Sequence, residues 1–208
     1  MKFSRIVSAV VLAIAAFSVA PASAAVITFE GHGLSENVNI FHEVLPNRAE
    51  IAGQMNLTIN GAPFVGYCVD LDNDAPNTWN ASLEPVTVID NGIMIAWLFD
   101  NLAAGVTTSI QAAGLQVAIW EVLDDGAGVL DLNTGDFRLN VPPTNVAIRN
   151  QANAYLAMLP PDLTGYVPQS IIVFSSEVDK AQHMIVPEPS SIAGLLMGAA
   201  LLLRGNRK

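Results

Sequence analysis

One cysteine, Cys68, stands in a chain of 208 residues. Cations are scarce as well, with nine lysines and arginines against nineteen acids and a formal charge of −10. Five of the nine cations, Lys2, Arg5, Arg204, Arg207 and Lys208, lie at the two ends, leaving Arg48, Arg138, Arg149 and Lys180 in between. So acidic a body repels nucleic acid and anionic lipid, and no polyanion-binding role is expected. The three histidines, His32, His42 and His183, are scattered without the spacing of zinc ligands. Phosphate loops, nucleotide fingerprints and the Gly-x-Ser-x-Gly elbow are all missing, so no cofactor is expected.

The ends read as addresses. Lys2 and Arg5 precede the apolar run Ile6 to Val19, and Ala22-Ser23-Ala24 follows. This is the pattern of a secretory signal peptide, residues 1–24, cleaved after Ala24. At the other end Pro187-Glu188-Pro189 leads into the apolar run Ile192 to Leu203 and then a basic terminus. Twelve helical residues reach about 18 Å, short of a hydrocarbon core of roughly 30 Å. The basic end is expected to stay cytoplasmic, with the body outside the inner membrane.

The order Pro-Glu-Pro, apolar segment, basic end resembles the PEP-CTERM sorting tail of Gram-negative bacteria, here residues 186–208. The resemblance implies an exosortase as processing partner, a transient inner-membrane contact, and release to the cell surface or extracellular matrix. An ordinary tail anchor is the alternative.

Between the addresses, residues 25–185 are long enough for one domain with a real core. Strands are expected at 25–30, 38–44, 50–59, 63–71 and 83–89, with a turn at Gly31-His32-Gly33 and a hairpin at Asn60-Gly61. Helices are expected at 93–102, over Ile110 to Asp125 with Thr107, Thr108 or Ser109 as its cap, and at 145–159. A brief strand at Phe137 and Leu139 and late strands at 169–175 and 181–186 complete the pattern. Strands, then three helices, then strands imply an α+β domain with the helices against an antiparallel sheet or sandwich.

The middle helix is apolar nearly all round. Gln116 shares its face with Ala113, Val117, Trp120 and Leu123. A buried amide needs partners. An exported lone thiol needs protection from oxidation or a task. Condensation answers both: the sulfur of Cys68 attacks the amide carbon of Gln116, ammonia leaves, and a thioester joins them. The plain alternative keeps Cys68 as a small buried hydrophobe and Gln116 as a satisfied core amide. Tyr67, Trp97 and Trp120 are expected to pack, with Trp120 also able to shield an acyl group from water.

Tyr67-Cys68-Val69-Asp70 and Gln116-Val117-Ala118-Ile119-Trp120 resemble the aromatic-Cys-aliphatic-acidic and Gln-x-Ala-Ile-Trp motifs of the bacterial thioester domain. Ile93 to Leu98 fits the same family's order, and Leu115 stands where the family often has Thr. The resemblance implies an internal Cys68–Gln116 thioester, supported by Tyr67, Asp70 and Trp120. It also implies a covalent adhesin, not a turnover enzyme, directed at an amine or hydroxyl on a surface or matrix. A non-covalent matrix protein that has lost the thioester is the rival reading. A thiol hydrolase pairing Cys68 with a distant histidine is the third.

Two acidic stretches complete the survey. Asp70, Asp72 and Asp74 alternate as in a calcium loop, but Ala75 and Ala81 break that pattern, and a solvated loop is expected. Asp124, Asp125, Asp131, Asn133 and Asp136 lack a fixed ligand spacing. No metal ligand set is assigned.

Overall fold

The computed structural model describes residues 24–42, 45–126, 128–140, 145–175 and 180–189. The expected signal peptide, residues 1–24, and the expected sorting tail, residues 186–208, therefore lie outside the described residues, apart from Ala24 and residues 186–189. Seven antiparallel strands and three helices are described, an α+β domain as expected. The strands are β1 (Ala24–His42), β2 (Leu45–Ile59), β3 (Ala62–Cys68), β4 (Thr78–Pro85), β5 (Phe137–Asn140), β6 (Ser170–Ser175) and β7 (Met184–Pro187). The helices are α1 (Gly92–Leu102), α2 (Ser109–Asp125) and α3 (Val146–Leu156).

Strand pairing runs β2-β3-β7-β6-β4-β1, and β1 pairs back to β2. Six strands thus close a ring, and β5 adds to the far part of β1 through Asn39↔Asn140 to His42↔Phe137. Closure leaves those six strands without a long open edge. The ring depends on β1 serving two neighbours at once. Ile27 pairs with Ile59 of β2 and with Trp79 of β4.

β1 corrects the expected turn at Gly31-His32-Gly33. The chain does not reverse there. It continues as one strand, with register shifts between Phe29 and Gly31 and between His32 and Ser35. Glycines in a strand favour bulges that bend it without ending its pairing. Facing this bend, Gly53 has φ +147°, and a Cβ there would lie 2.3 Å from the Leu34 carbonyl oxygen. Only glycine meets both conditions.

β4 is also displaced from expectation. It starts at Thr78, burying Trp79, and ends at Pro85, after which Val86–Val88 forms a short 3-10 turn. Proline lacks the N–H that a continuing ladder needs. The folded body also runs beyond the expected boundary at residue 185. Val186 is fully buried, Ser170 pairs with Pro187, and Glu188 N–H donates to Gln169 O at 2.9 Å.

α2 is the centre of the domain. Every residue from Ala112 to Val122 is buried. The helix packs on β1 and β2 and against α1 and α3. Its start is fixed by a capping box: Thr108 Oγ1 accepts from Gln111 N–H, and the Gln111 side chain accepts from Thr108 N–H. Gly114 lets α3 approach, since a Cβ there would lie 2.6 Å from Gln151. The buried apolar side chains of α2 supply the driving force that seats it, at roughly 25 cal/mol per Å² of apolar surface removed from water.

Candidate functional site

Cys68 is the last residue of β3, paired with Met184 of β7. Val69 N–H still bonds His183 O at 2.9 Å before the chain turns away. Asp70 builds that turn. Its Oδ1 accepts the N–H groups of Asp72 and Asn73 at 2.9 and 3.2 Å. Its Oδ2 accepts Asn73 Nδ2 at 2.9 Å and His183 N–H at 3.3 Å. Such local carboxylate bonds replace the ladder where the strand stops. The expected support by Asp70 is thus backbone shaping, reinforced by Gln182 Nε2 donating to Asp70 O at 3.2 Å.

Gln116 arrives from α2. Its Nε2 donates to Cys68 O at 2.8 Å and its Oε1 accepts from Cys68 N–H at 2.9 Å. The amide therefore grips both backbone polar groups of Cys68, 48 residues away in sequence. Gln116 is 1% exposed and Cys68 3%. The cross-link partners expected from sequence are brought together, and the buried amide is satisfied.

The thiol itself donates to Asp70 O at 2.7 Å, while Asp70 N–H donates to Sγ at 3.3 Å. Burial pushes the Cys68 thiol up to about 12, and the Trp120 indole and the Asp70 backbone only partly oppose it. Trp120 lies one turn beyond Gln116 and is 2% exposed. Its indole N–H closes no hydrogen bond, and it is the side-chain donor that favours the Cys68 thiolate. Tyr67 points to the opposite face of β3, as strand alternation requires, and packs edge-on against Phe99 at 6.0 Å. Its expected support is packing behind the strand.

Cys68 and Trp120 reach solvent through a cleft of about 320 Å³ whose lining includes Met55, Leu71, His32 and Arg48. Arg48 spans the cleft. Its guanidinium donates to Leu71 O, pairs with Glu50, and lies 3.7 Å from Asp74. Nothing in the sequence signals that Arg48, Gln182 and His183 meet at this site. Each reaches the Cys68 turn from a remote segment, and no local pattern marks them.

Among the described residues no histidine is hydrogen-bonded to the Cys68 thiol, which bonds only the Asp70 backbone. His183 stacks on Phe174 at 4.2 Å and lies 3.6 Å from Asp70 Oδ2, and His42 Nε2 lies 3.2 Å from Asp124. Burial lowers the His32 imidazole, which lines the cleft.

The acidic stretches are engaged with the protein itself. Asp125 accepts Asp136 N–H and Phe137 N–H, both at 3.0 Å. Asp131 accepts Asn133 N–H at 3.1 Å. Among the described residues no group of three acids, histidines or cysteines is placed to hold a metal ion. No described helix is long and apolar enough to cross a membrane. Comparison with family profiles, with curated proteins and with solved structures found no match to this chain.

Proposed function

We propose that this chain is an exported surface or matrix protein that attaches covalently, once per molecule, through an internal thioester between Cys68 and Gln116. The observation that carries the reading is the two-point hydrogen bonding of the buried Gln116 amide to the Cys68 backbone, beside the cleft that Cys68 lines.

The chemistry follows from that contact. The Cys68 thiol gives up its proton and its sulfur attacks Cδ of Gln116. The oxygen that gains charge is Oε1, which already accepts from Cys68 N–H at 2.9 Å, as an oxyanion requires. The C–N bond breaks and ammonia leaves, carrying the thiol proton. An incoming amine then attacks the same carbon. The C–S bond breaks, an amide forms, and the amine's proton goes to sulfur. A neighbouring indole N–H from Trp120 stabilises the leaving thiolate. The acyl group is consumed, so the chain reacts once and is not a turnover enzyme.

The tail supports export and sorting. Pro187-Glu188-Pro189 lies at the end of β7 and just beyond it, and the apolar run and basic terminus follow in sequence. In this reading an exosortase removes the tail at the inner membrane, and the acidic body meets an amine or hydroxyl on a neighbouring surface.

A specific observation favours the second reading, a non-covalent matrix protein. The Gln116 amide has both ends satisfied, and the Cys68 thiol is held neutral against the Asp70 backbone. There the amide is a structural clamp.

Intact-mass measurement of the native protein separates the two. The thioester predicts a deficit of one ammonia, no thiol after unfolding, and loss of the deficit in Cys68→Ala and Gln116→Ala. The full calculated mass with one titratable thiol overturns the covalent reading.

A further inference from the structure

A second cavity, of about 490 Å³, lies on the other face of β3. Its walls are apolar and include Val65, Phe99 and Val106. Four polar side chains break that lining: Gln54, Tyr67, Asp100 and Gln169.

Tyr67 is fully buried, yet its hydroxyl closes no hydrogen bond with the protein. Gln54 is near enough to favour ionisation of the phenol, but burial dominates and keeps the hydroxyl protonated. A buried hydroxyl without a partner is a cost that a bound group can remove. The volume is in the range of small-molecule sites, as is the pattern of apolar walls with a few convergent polar groups.

The sign of the site is negative. Asp100 projects from the last turn of α1, where its Oδ2 accepts from Tyr166 Oη at 2.6 Å and Gln169 N–H at 2.7 Å. The last turn of α1 has no basic residue, and Ala103 and Ala104, which follow the helix, line the cavity. Helix C-termini carry partial negative charge. Among the described residues no lysine or arginine lines the cavity to offset it. The rings of Tyr67 and Phe99 meet edge-on at 6.0 Å, which gives the site aromatic walls. Aromatic faces also attract cations.

We infer that this cavity binds a small organic ammonium ion with an apolar body. The ammonium group has three N–H donors and no acceptor. The Tyr67 hydroxyl oxygen and the Asp100 carboxylate are the acceptors that meet it, and the body lies against Phe99, Val65 and Val106. The inference does not depend on acylation of Cys68, which faces the other way.

Three probes of one shape test it on the purified full chain: 2-phenylethylammonium, 2-phenylethanol and phenylacetate, titrated by calorimetry or NMR. The ammonium is expected to bind saturably, the alcohol about tenfold more weakly, and the carboxylate not at all. Asp100→Asn should bring the ammonium down to the alcohol's affinity while leaving the alcohol unchanged. Tyr67→Phe should weaken both. Val65→Trp, at a position 43% exposed, should block both by filling the mouth, with the melting temperature unchanged. Absence of saturation by the ammonium overturns the inference. So does equal binding of the carboxylate, or ammonium binding indifferent to both Asp100→Asn and Val65→Trp. The mass of the Cys68–Gln116 pair is unaffected by any of these results, so the covalent reading stands or falls separately.

Discussion

In the proposed thioester chemistry Cys68 supplies the sulfur, Gln116 the acyl carbon and Trp120 the N–H donor. Trp120→Phe keeps most of the ring's bulk and removes the donor. Reaction of the native protein with methylamine, followed by mass spectrometry, is expected to slow about tenfold, as for loss of one hydrogen bond to a developing charge. An unchanged rate would leave Trp120 as a shield only. In chains where the thiol is free, such as Gln116→Ala, its ionisation opposes folding. The folded state holds the proton up to about 12, while an unfolded thiol loses it near 9. The unfolded state therefore binds fewer protons between those values, and stability falls as pH rises through that window. Glu121 works the same way at lower pH. It is fully buried next to Trp120, and burial pushes its carboxyl up to about 7 from 4.5. The stability it permits is complete below pH 4.5 and is lost as pH rises towards 7. Denaturation midpoints at pH 5 and pH 8 should differ, and Glu121→Gln should shrink that difference.

At the level of the element, α2 sets where Gln116 stands, and β3 sets where Cys68 ends its ladder. The capping box at Thr108 fixes the start of α2. Thr108→Ala should cost about 1 kcal/mol and lower the urea midpoint without changing its slope. β7 matters for a different reason. It lies between β3 and β6 in the ring and carries Val186, which is fully buried. A chain stopped after Ile185 loses the pairs Ile171↔Val186 and Ser170↔Pro187. It should unfold at clearly lower temperature than a chain stopped after Pro189, as measured by thermal circular dichroism. Removal of the residues beyond Pro189, as in the proposed sorting, leaves those pairs intact.

For the molecule as a whole, the proposed bond would staple a ring strand to the central helix. Chain-entropy reasoning for a closed loop of that size gives about 4 kcal/mol. Methylamine opens the staple without changing the fold, so the melting temperature should drop by about 10 °C. Equal melting temperatures before and after amine treatment would show that no cross-link was present. Cations are sparse between the two ends, where Arg48, Arg138, Arg149 and Lys180 stand among many acids. That balance suits targets rich in amines and discourages nucleic acid.

The residue pattern alone carried much of this. Apolar periodicity located α1 and α2 to within a residue or so, because a helix buried all round writes its period into every position. Asn60-Gly61 marked the β2–β3 hairpin, since Asn60 and Gly61 adopt the positive φ that the tight turn needs. Cys68 and Gln116 stood out as residue types poorly suited to their surroundings. Other features belonged to the tertiary structure. Gly31 and Gly33 looked like a turn, and only pairing with β2 and β4 revealed a bent continuous strand. The closing of six strands into a ring, the docking of Gln182 and His183 on the Asp70 turn, and the Arg48 span all join segments far apart in sequence. Local preferences act over a few residues, so they decide what each segment is. Which segments meet is decided by how the whole chain buries its apolar faces while pairing every backbone donor, and that sum exists only once the chain has folded.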